Sequence, residues 1–144
     1  MFKKSLEERL STWAEFRKSL EQDPDPLQSV INFWSQAPQI THNHKIDPFN
    51  SKQWPTPWEI IAENRYDDFT LAIMISLTLK LTNRFKKDQI QIKTMVDRER
   101  TRLYNLVVMN DEYVLNYNKD SIVKTQDIDD LLYMENVIDI NFPR

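Results

Sequence analysis

Apolar residues in the first part of the chain recur every three or four positions, which is the spacing of amphipathic helices. One helix is predicted to end before Asp23, because Pro24 and Pro26 disfavour helix in the residues before them. A second helix is predicted from Pro26 to about Pro38, with Asp25 as its cap. The apolar positions are Phe2, Leu6, Leu10, Trp13, Phe16 and Leu20 in the first helix and Leu27, Val30, Ile31, Phe33 and Trp34 in the second.

The periodic pattern stops over residues 38–56, which predicts a long loop, and long loops in small domains are often functional. Thr56 and Glu59 then form a capping box that opens a short helix ending near Asn64. Residues 67–83 are apolar around almost the whole helical circumference, which is typical of a helix buried on several sides. We therefore expect this helix to lie at the centre of the fold.

The second half of the chain changes to the two-residue period of β-strands. Strands are predicted over residues 90–96, 103–109 and 112–117, with a hairpin turn at Asn110-Asp111. A short helix over residues 127–134 and a last strand over 137–142 complete the prediction. Helices followed by antiparallel strands indicate an α+β fold, with N-terminal helices and one buried central helix packed on a small antiparallel sheet.

Length and composition limit the classes of protein to consider. The 144 residues predict a single domain, 1–144, made of a helical region (1–37), the long loop (38–56) and an α+β core (57–144). The chain has no Gly and no Cys, which excludes Gly-rich phosphate loops, thiolate catalysis and disulfides. The start of the chain lacks the apolar stretch of a signal peptide, and the most apolar run, residues 69–81, is too short to span a membrane.

Charge argues against nucleic acid as the partner. The net charge is -3 and the two signs are interspersed, whereas nucleic-acid binders carry a basic stripe. Arg98, Arg100 and Arg102 are the residues that such a partner would use. Asn, Lys and Ile are frequent and Ala is scarce, a composition that fits an AT-rich genome.

Two sets of residues suggest site chemistry. His42, His44 and Asp47 in the loop resemble a metal site, or they are solvent-exposed loop residues; two histidines are too few for a closed tetrahedral shell. The sequence therefore predicts no structural metal. The second set suggests a cation or acid–base site, or a helix cap at Asp127 beside a solvated face. Its members are Asp127, Asp129, Asp130 and Glu135.

Aromatic residues suggest a protein interface, because they often anchor such surfaces. Trp13 and Trp34 lie on apolar helical faces and are predicted to be core. Trp54, which is followed by Pro55 and Pro57, is the predicted anchor, with Phe49 and Trp58 as further partner-binding candidates. The alternative is that Trp54 and Phe49 fold back and cover the central helix.

The segment from Tyr66 to Thr70 opens the predicted central helix, and two antiparallel strands follow it. This resembles the core of the transglutaminase-like superfamily, a branch of the papain-like fold, over residues 66–117. That family has a cysteine two residues before an Asp-aromatic-small motif, which Asp68, Phe69 and Thr70 match. Tyr66 stands where the cysteine belongs.

The same resemblance places Tyr104 near the histidine position on the first downstream strand and Asn116 near the acid or amide position on the next. These residues cannot carry out the family's thiolate mechanism. The tyrosine at the cysteine position has a pKa near 10, and no histidine lies on the downstream strands to act as the base. The resemblance thus implies a catalytically inactive domain.

We expect a non-enzymatic structural or interaction protein that docks on other protein subunits of a larger assembly. A phage virion component fits the base composition, with the virion or the host cytoplasm as its location. No cofactor, nucleic acid, membrane or small-molecule substrate is expected. The alternative is a small hydrolase or metal-binding protein that uses His42, His44 and nearby acids.

Overall fold

The computed structural model describes residues 1–97, 99, 102–118, 121–129 and 131–141. Within these ranges there are four α-helices and one five-stranded antiparallel sheet, so the predicted α+β class is confirmed. The helices are α1 (Leu6–Ser19), α2 (Pro26–Trp34), α3 (Pro57–Glu63) and α4 (Asp68–Lys80). The strands are β1 (Ile90–Asp97), β2 (Leu103–Met109), β3 (Tyr113–Val114), β4 (Val123–Lys124) and β5 (Leu132–Asp139).

Polar caps fix where the helices begin. The predicted capping box of α3 is present: the Glu59 amide donates to Thr56 Oγ1 at 3.2 Å, and the Thr56 amide donates to Glu59 Oε1 at 3.1 Å. Asp67 caps α4 by accepting from the Thr70 amide at 2.7 Å.

The prediction that the Asp25 side chain caps α2 is wrong. Asp25 occupies the capping position, but its side chain makes no capping hydrogen bond. Asp23 acts instead, since its carboxylate accepts from the Asp25 amide at 2.8 Å and from the Ser29 hydroxyl at 2.6 Å. These bonds are the main reason that the pKa of the Asp23 carboxyl lies below its usual value.

Helix α4 is the centre of the core, as its continuous apolar pattern predicts. All residues from Phe69 to Leu79 except Leu71 are buried. The Thr78 hydroxyl joins three helices: it accepts from the indole nitrogens of Trp13 (α1) and Trp34 (α2), each at 3.0 Å, and donates to the Met74 carbonyl at 2.6 Å. One donor and two acceptor bonds use the full capacity of a hydroxyl, so these polar atoms are buried without an unpaired group.

The sheet has the strand order β4-β3-β2-β1-β5. Residues of β2 alternate between two faces: Asn105, Val107 and Met109 face the helices, while Leu106 and Val108 belong to a second cluster on the outer face.

The β2–β3 turn places Asn110 and Asp111 at φ 54° and 53°. Such positive φ values are tolerated by Asn and Asp, and Asn64 at the end of α3 has φ 57°.

The helix predicted over residues 127–134 is wrong. A short 3-10 turn, Thr125–Asp127, comes first, and Leu132 already begins β5. The strand predicted at 112–117 is shorter than expected, and β4 was not predicted. The last strand begins earlier than predicted and ends at Asp139; Phe142 lies outside the described residues, as do Arg98, Arg100 and Asp130.

Candidate functional site

An open cleft of about 470 Å³ lies between the long loop, the start of α4 and one end of the sheet. Its walls are apolar on the loop side, where Ile46, Pro48 and Phe49 face Phe69 and Leu103. Its polar groups come from the loop, from the start of α4 and from β1, β2 and β5. They are Thr41, His42, Asp67, Asp68, Thr94, Asn105, Glu135 and Asn136.

The base of the loop is fixed against the start of α4 by main-chain hydrogen bonds. The Ile40 amide donates to the Tyr66 carbonyl at 2.9 Å, and the Tyr66 amide donates to the Pro38 carbonyl at 3.1 Å. The Asn43 amide donates to Asp67 Oδ2 at 2.9 Å. Asp67 therefore uses one carboxylate oxygen to cap α4 and the other to position the loop, which makes it a structural residue of the cleft.

Asp47 organises the tip of the loop. Its side chain accepts from the Phe49 amide at 2.9 Å, and its carbonyl accepts from the Asn50 amide at 3.1 Å and from the Trp54 indole at 2.7 Å. The Phe49 side chain is 82% exposed at the lip of the cleft. The backbone that carries this ring is thus ordered although the ring itself is in solvent.

Trp54 is buried, so the prediction that it is the exposed interface anchor is wrong. Only 7% of its surface is exposed, and its ring packs edge-on against Phe69 of α4 at a centroid distance of 5.7 Å. The alternative weighed from the sequence, that the loop folds back on the central helix, holds for Trp54 and fails for Phe49. Trp58 is between the two: it is 41% exposed and contacts Trp13 edge-on at 6.3 Å.

A chain of amides supports the polar side of the cleft. Asn105 Nδ2 donates to Asp68 Oδ2 at 2.9 Å, and Asn105 Oδ1 accepts from the Thr94 hydroxyl at 3.1 Å. Asn116 bonds to the middle of β2, donating to the Asn105 carbonyl and accepting from the Val107 amide, both at 2.8 Å. Asn105 was missed by the sequence reasoning, although its position one residue after Tyr104 puts it on the helix-facing side of β2.

The three positions assigned by the transglutaminase-like resemblance do not meet. Tyr66 is fully buried in the helical core, where its ring packs against Phe2 and Trp34. Tyr104 lies on the outer face of the sheet, against Tyr117. Asn116 contacts the backbone of β2. The Tyr66 hydroxyl has no hydrogen-bond partner among the described residues, and its burial raises its pKa far above the usual value, so it is a neutral core group.

The two loop histidines contact each other at the rim of the cleft. Their ring centroids are 4.5 Å apart, and His42 Nδ1 lies 3.9 Å from Asp67 Oδ2 with 62% of the His42 side chain exposed. The described part of the chain brings no group of three His, Cys, Asp or Glu side chains into metal-binding range. Asp127 ends a 3-10 turn and does not cap a helix, and the carboxylate of Asp129 accepts from the Leu131 amide at 2.9 Å.

Among the residues that the structure describes, no helix combines the length and the apolar character needed to cross a membrane. No family model, curated protein or solved structure matches the chain. The resemblance to the transglutaminase-like superfamily therefore stays a prediction.

Proposed function

We propose that the protein is a non-enzymatic subunit of a larger assembly and docks on another protein subunit through the cleft. The observation that carries this proposal is Phe49, a large apolar side chain that is 82% exposed on an ordered loop at the lip of the cleft. A phage virion is one setting for such an assembly.

Burial of the Phe49 ring supplies a favourable free energy of docking. Full burial of a side chain of this size contributes about 1.5–3 kcal/mol relative to leaving it in water. The neighbouring surface extends this contribution, because Leu103 on the opposite wall is 53% exposed. An aromatic side chain beside a second apolar residue is the composition found at the centre of many interfaces.

The ordered loop lowers the cost of docking. Binding usually loses free energy when a mobile loop must be immobilised. Here Asp47 already holds the Phe49 amide and, through its carbonyl, the Trp54 indole. A partner that covers Phe49 therefore restricts mainly one side chain.

Sedimentation of the chain expressed in its source tests this proposal. The wild-type chain is expected to sediment with a high-mass particle, and Phe49→Ser is expected to leave the particle while keeping the thermal midpoint of the free chain. Leu6→Ser is the matched control, because Leu6 is also a partly exposed apolar residue, at 42%, but lies on α1. If both variants stay in the particle, the cleft is not the docking surface.

An activity measurement tests the non-enzymatic part separately. We expect the purified chain to catalyse neither amide hydrolysis nor transamidation. If the wild type has either activity and Tyr66→Phe lacks it, the Tyr66 hydroxyl takes part in catalysis. That result would overturn this part of the proposal.

A further inference from the structure

The two edges of the sheet differ in how they are protected. Strand β4 forms one edge, has two residues and ends in the exposed Lys124. Strand β5 forms the other edge, has eight residues and contains neither proline nor a basic residue. Short length, Lys, Pro and β-bulges keep an edge from pairing with another strand. The register of β5 with β1 shifts at Glu135, but the segment from Asn136 to Asp139 is regular and has none of these protections.

We propose that a second copy of this chain pairs with β5 in antiparallel orientation, which joins the two sheets into one of ten strands. This goes beyond the proposed docking function and uses the backbone edge of β5, whereas docking uses the apolar walls of the cleft; Glu135 and Asn136 of β5 also line that cleft. Three observations support it: the direction of the free backbone groups, the charges of the strand and an apolar row on its inner face.

The backbone groups of alternate residues in β5 point away from β1. The Ile140 amide donates to the Ile90 carbonyl at 2.9 Å, and the register then pairs Ile138 with Ile92. In an antiparallel pair every second residue bonds to the neighbouring strand, and the residues between them point outward. Val137 and Asp139 are therefore the residues whose amides and carbonyls face a sixth strand.

Charge excludes two of the registers in which two copies could pair. A twofold axis at Val137 would place Asp139 opposite Glu135 of the second copy, and an axis at Asp139 would place two copies of that carboxylate opposite each other. Like charges directly opposite each other destabilise a sheet. An axis at Ile138 avoids both contacts, because Asp139 then faces Val137 of the second copy.

The same register continues an apolar row across the interface. An apolar row crosses three neighbouring strands on the side of the sheet that faces the helices. In this row Ile92 of β1 pairs with Val107 of β2 and with Ile138 of β5. Ile138 is partly buried against the core, and an axis at this position places it beside its own copy. The row would then run without a polar interruption from one core to the other, which buries the part of Ile138 that is exposed in one copy.

Cysteine cross-linking tests the register directly, because the chain has no cysteine of its own. An axis at Ile138 brings the two Cα atoms of that residue to about 4.5 Å, the spacing of a pair without mutual hydrogen bonds. A disulfide accepts Cα distances of about 4.4–6.8 Å. We expect Ile138→Cys to form a covalent dimer on mild oxidation, well ahead of Val137→Cys and Asp139→Cys.

The alternative results are equally clear. Faster cross-linking of Val137→Cys or Asp139→Cys would overturn the register, and equal or absent cross-linking in all three variants would overturn the pairing. Failure of Phe49→Ser to leave the particle would not affect these results, so the two proposals fail independently.

The mass of the chain in solution provides a second test that needs no cross-link. We expect sedimentation equilibrium to give twice the chain mass for the wild type and the chain mass for Val137→Pro. Proline removes an outward amide and leaves the hydrogen bonds to β1, so the variant should keep its fold. Val137→Ala is the matched control and is expected to remain a dimer. A monomeric wild type at concentrations up to those used for cross-linking would refute the proposal.

Discussion

Thr78 shows how a single side chain can decide the arrangement of three helices. In the sequence it is one polar residue in an apolar stretch, which gives no sign of its partners. In the fold its hydroxyl is fully buried and bonds to two indoles and one carbonyl. Burial of an indole nitrogen without a partner is unfavourable, so this hydroxyl selects the position in which both Trp13 and Trp34 reach it.

Thr78→Val is therefore expected to be strongly destabilising although the two side chains have nearly the same shape. The variant leaves two buried N–H donors unpaired, at about 1–3 kcal/mol each. The free energy of unfolding from urea titration is the measurement, and Thr78→Ser, which keeps the hydroxyl, is the control. Equal midpoints for Thr78→Val and the wild type would show that the indole bonds contribute nothing to stability.

At the scale of elements, the strongly periodic parts of the chain and the β2–β3 hairpin were predictable, and the position of β5 beside β1 was not. The capping box of α3 and the apolar circumference of α4 depend on neighbouring residues, and both are confirmed. The conformation of the segment before β5 depends instead on residues that are distant in the sequence. A possible cap at Asp127 favoured a helix, but pairing with β1 takes Leu132 into the sheet, and tertiary pairing overrides local preference.

The candidate site was predictable only in part for a related reason. The two-residue period of β2 places neighbouring residues on opposite faces, so a displacement of one position exchanges Tyr104 for Asn105. The resemblance named Tyr104 on β2, whereas the residue of β2 that contacts the start of α4 is Asn105. Phe49 and Trp54 were similar in the sequence, and only packing against Phe69 separates the buried residue from the exposed one.

The start of α2 gives a prediction with a defined pH dependence. Asp23→Ala is expected to lower the free energy of unfolding by about 0.5–1.5 kcal/mol at neutral pH, the usual net contribution of a hydrogen bond, and Asp25→Ala, which removes no side-chain capping bond, is expected to lower it less. The pKa of Asp23 is lowered in the fold, so its contribution is present above the unfolded pKa near 4 and is lost as the pH falls through the folded pKa.

Urea titrations of the two variants and the wild type at pH 7 and below pH 4 measure this effect. The difference between the wild type and Asp23→Ala should shrink on acidification. A difference that is larger at low pH would contradict the assignment of the cap to the ionised carboxylate.

At the scale of the whole molecule, the long loop contributes Ile46 and Trp54 to the core and leaves Phe49 at the surface. Trp54→Ala is expected to lower the free energy of unfolding by about 3–5 kcal/mol, as removal of a buried large aromatic side chain does. Phe49→Ala, five residues earlier, should change it by less than about 0.5 kcal/mol. Thermal or urea unfolding of both variants tests this contrast, and similar losses in both would mean that the loop packs differently from the arrangement described.

The left-handed residues Asn64, Asn110 and Asp111 have a consequence for the unfolded chain. They form turns that glycine often forms, so the protein reaches its fold with no glycine at all. A Cβ atom at every position narrows the range of conformations open to the unfolded backbone. Replacing one glycine in this way stabilises a protein by about 0.4–1 kcal/mol where the native φ is negative, whereas a left-handed position offsets this gain by its own conformational cost. Part of the stability of this protein therefore arises from the lower conformational entropy of its unfolded chain. This contribution does not correspond to any contact in the folded structure.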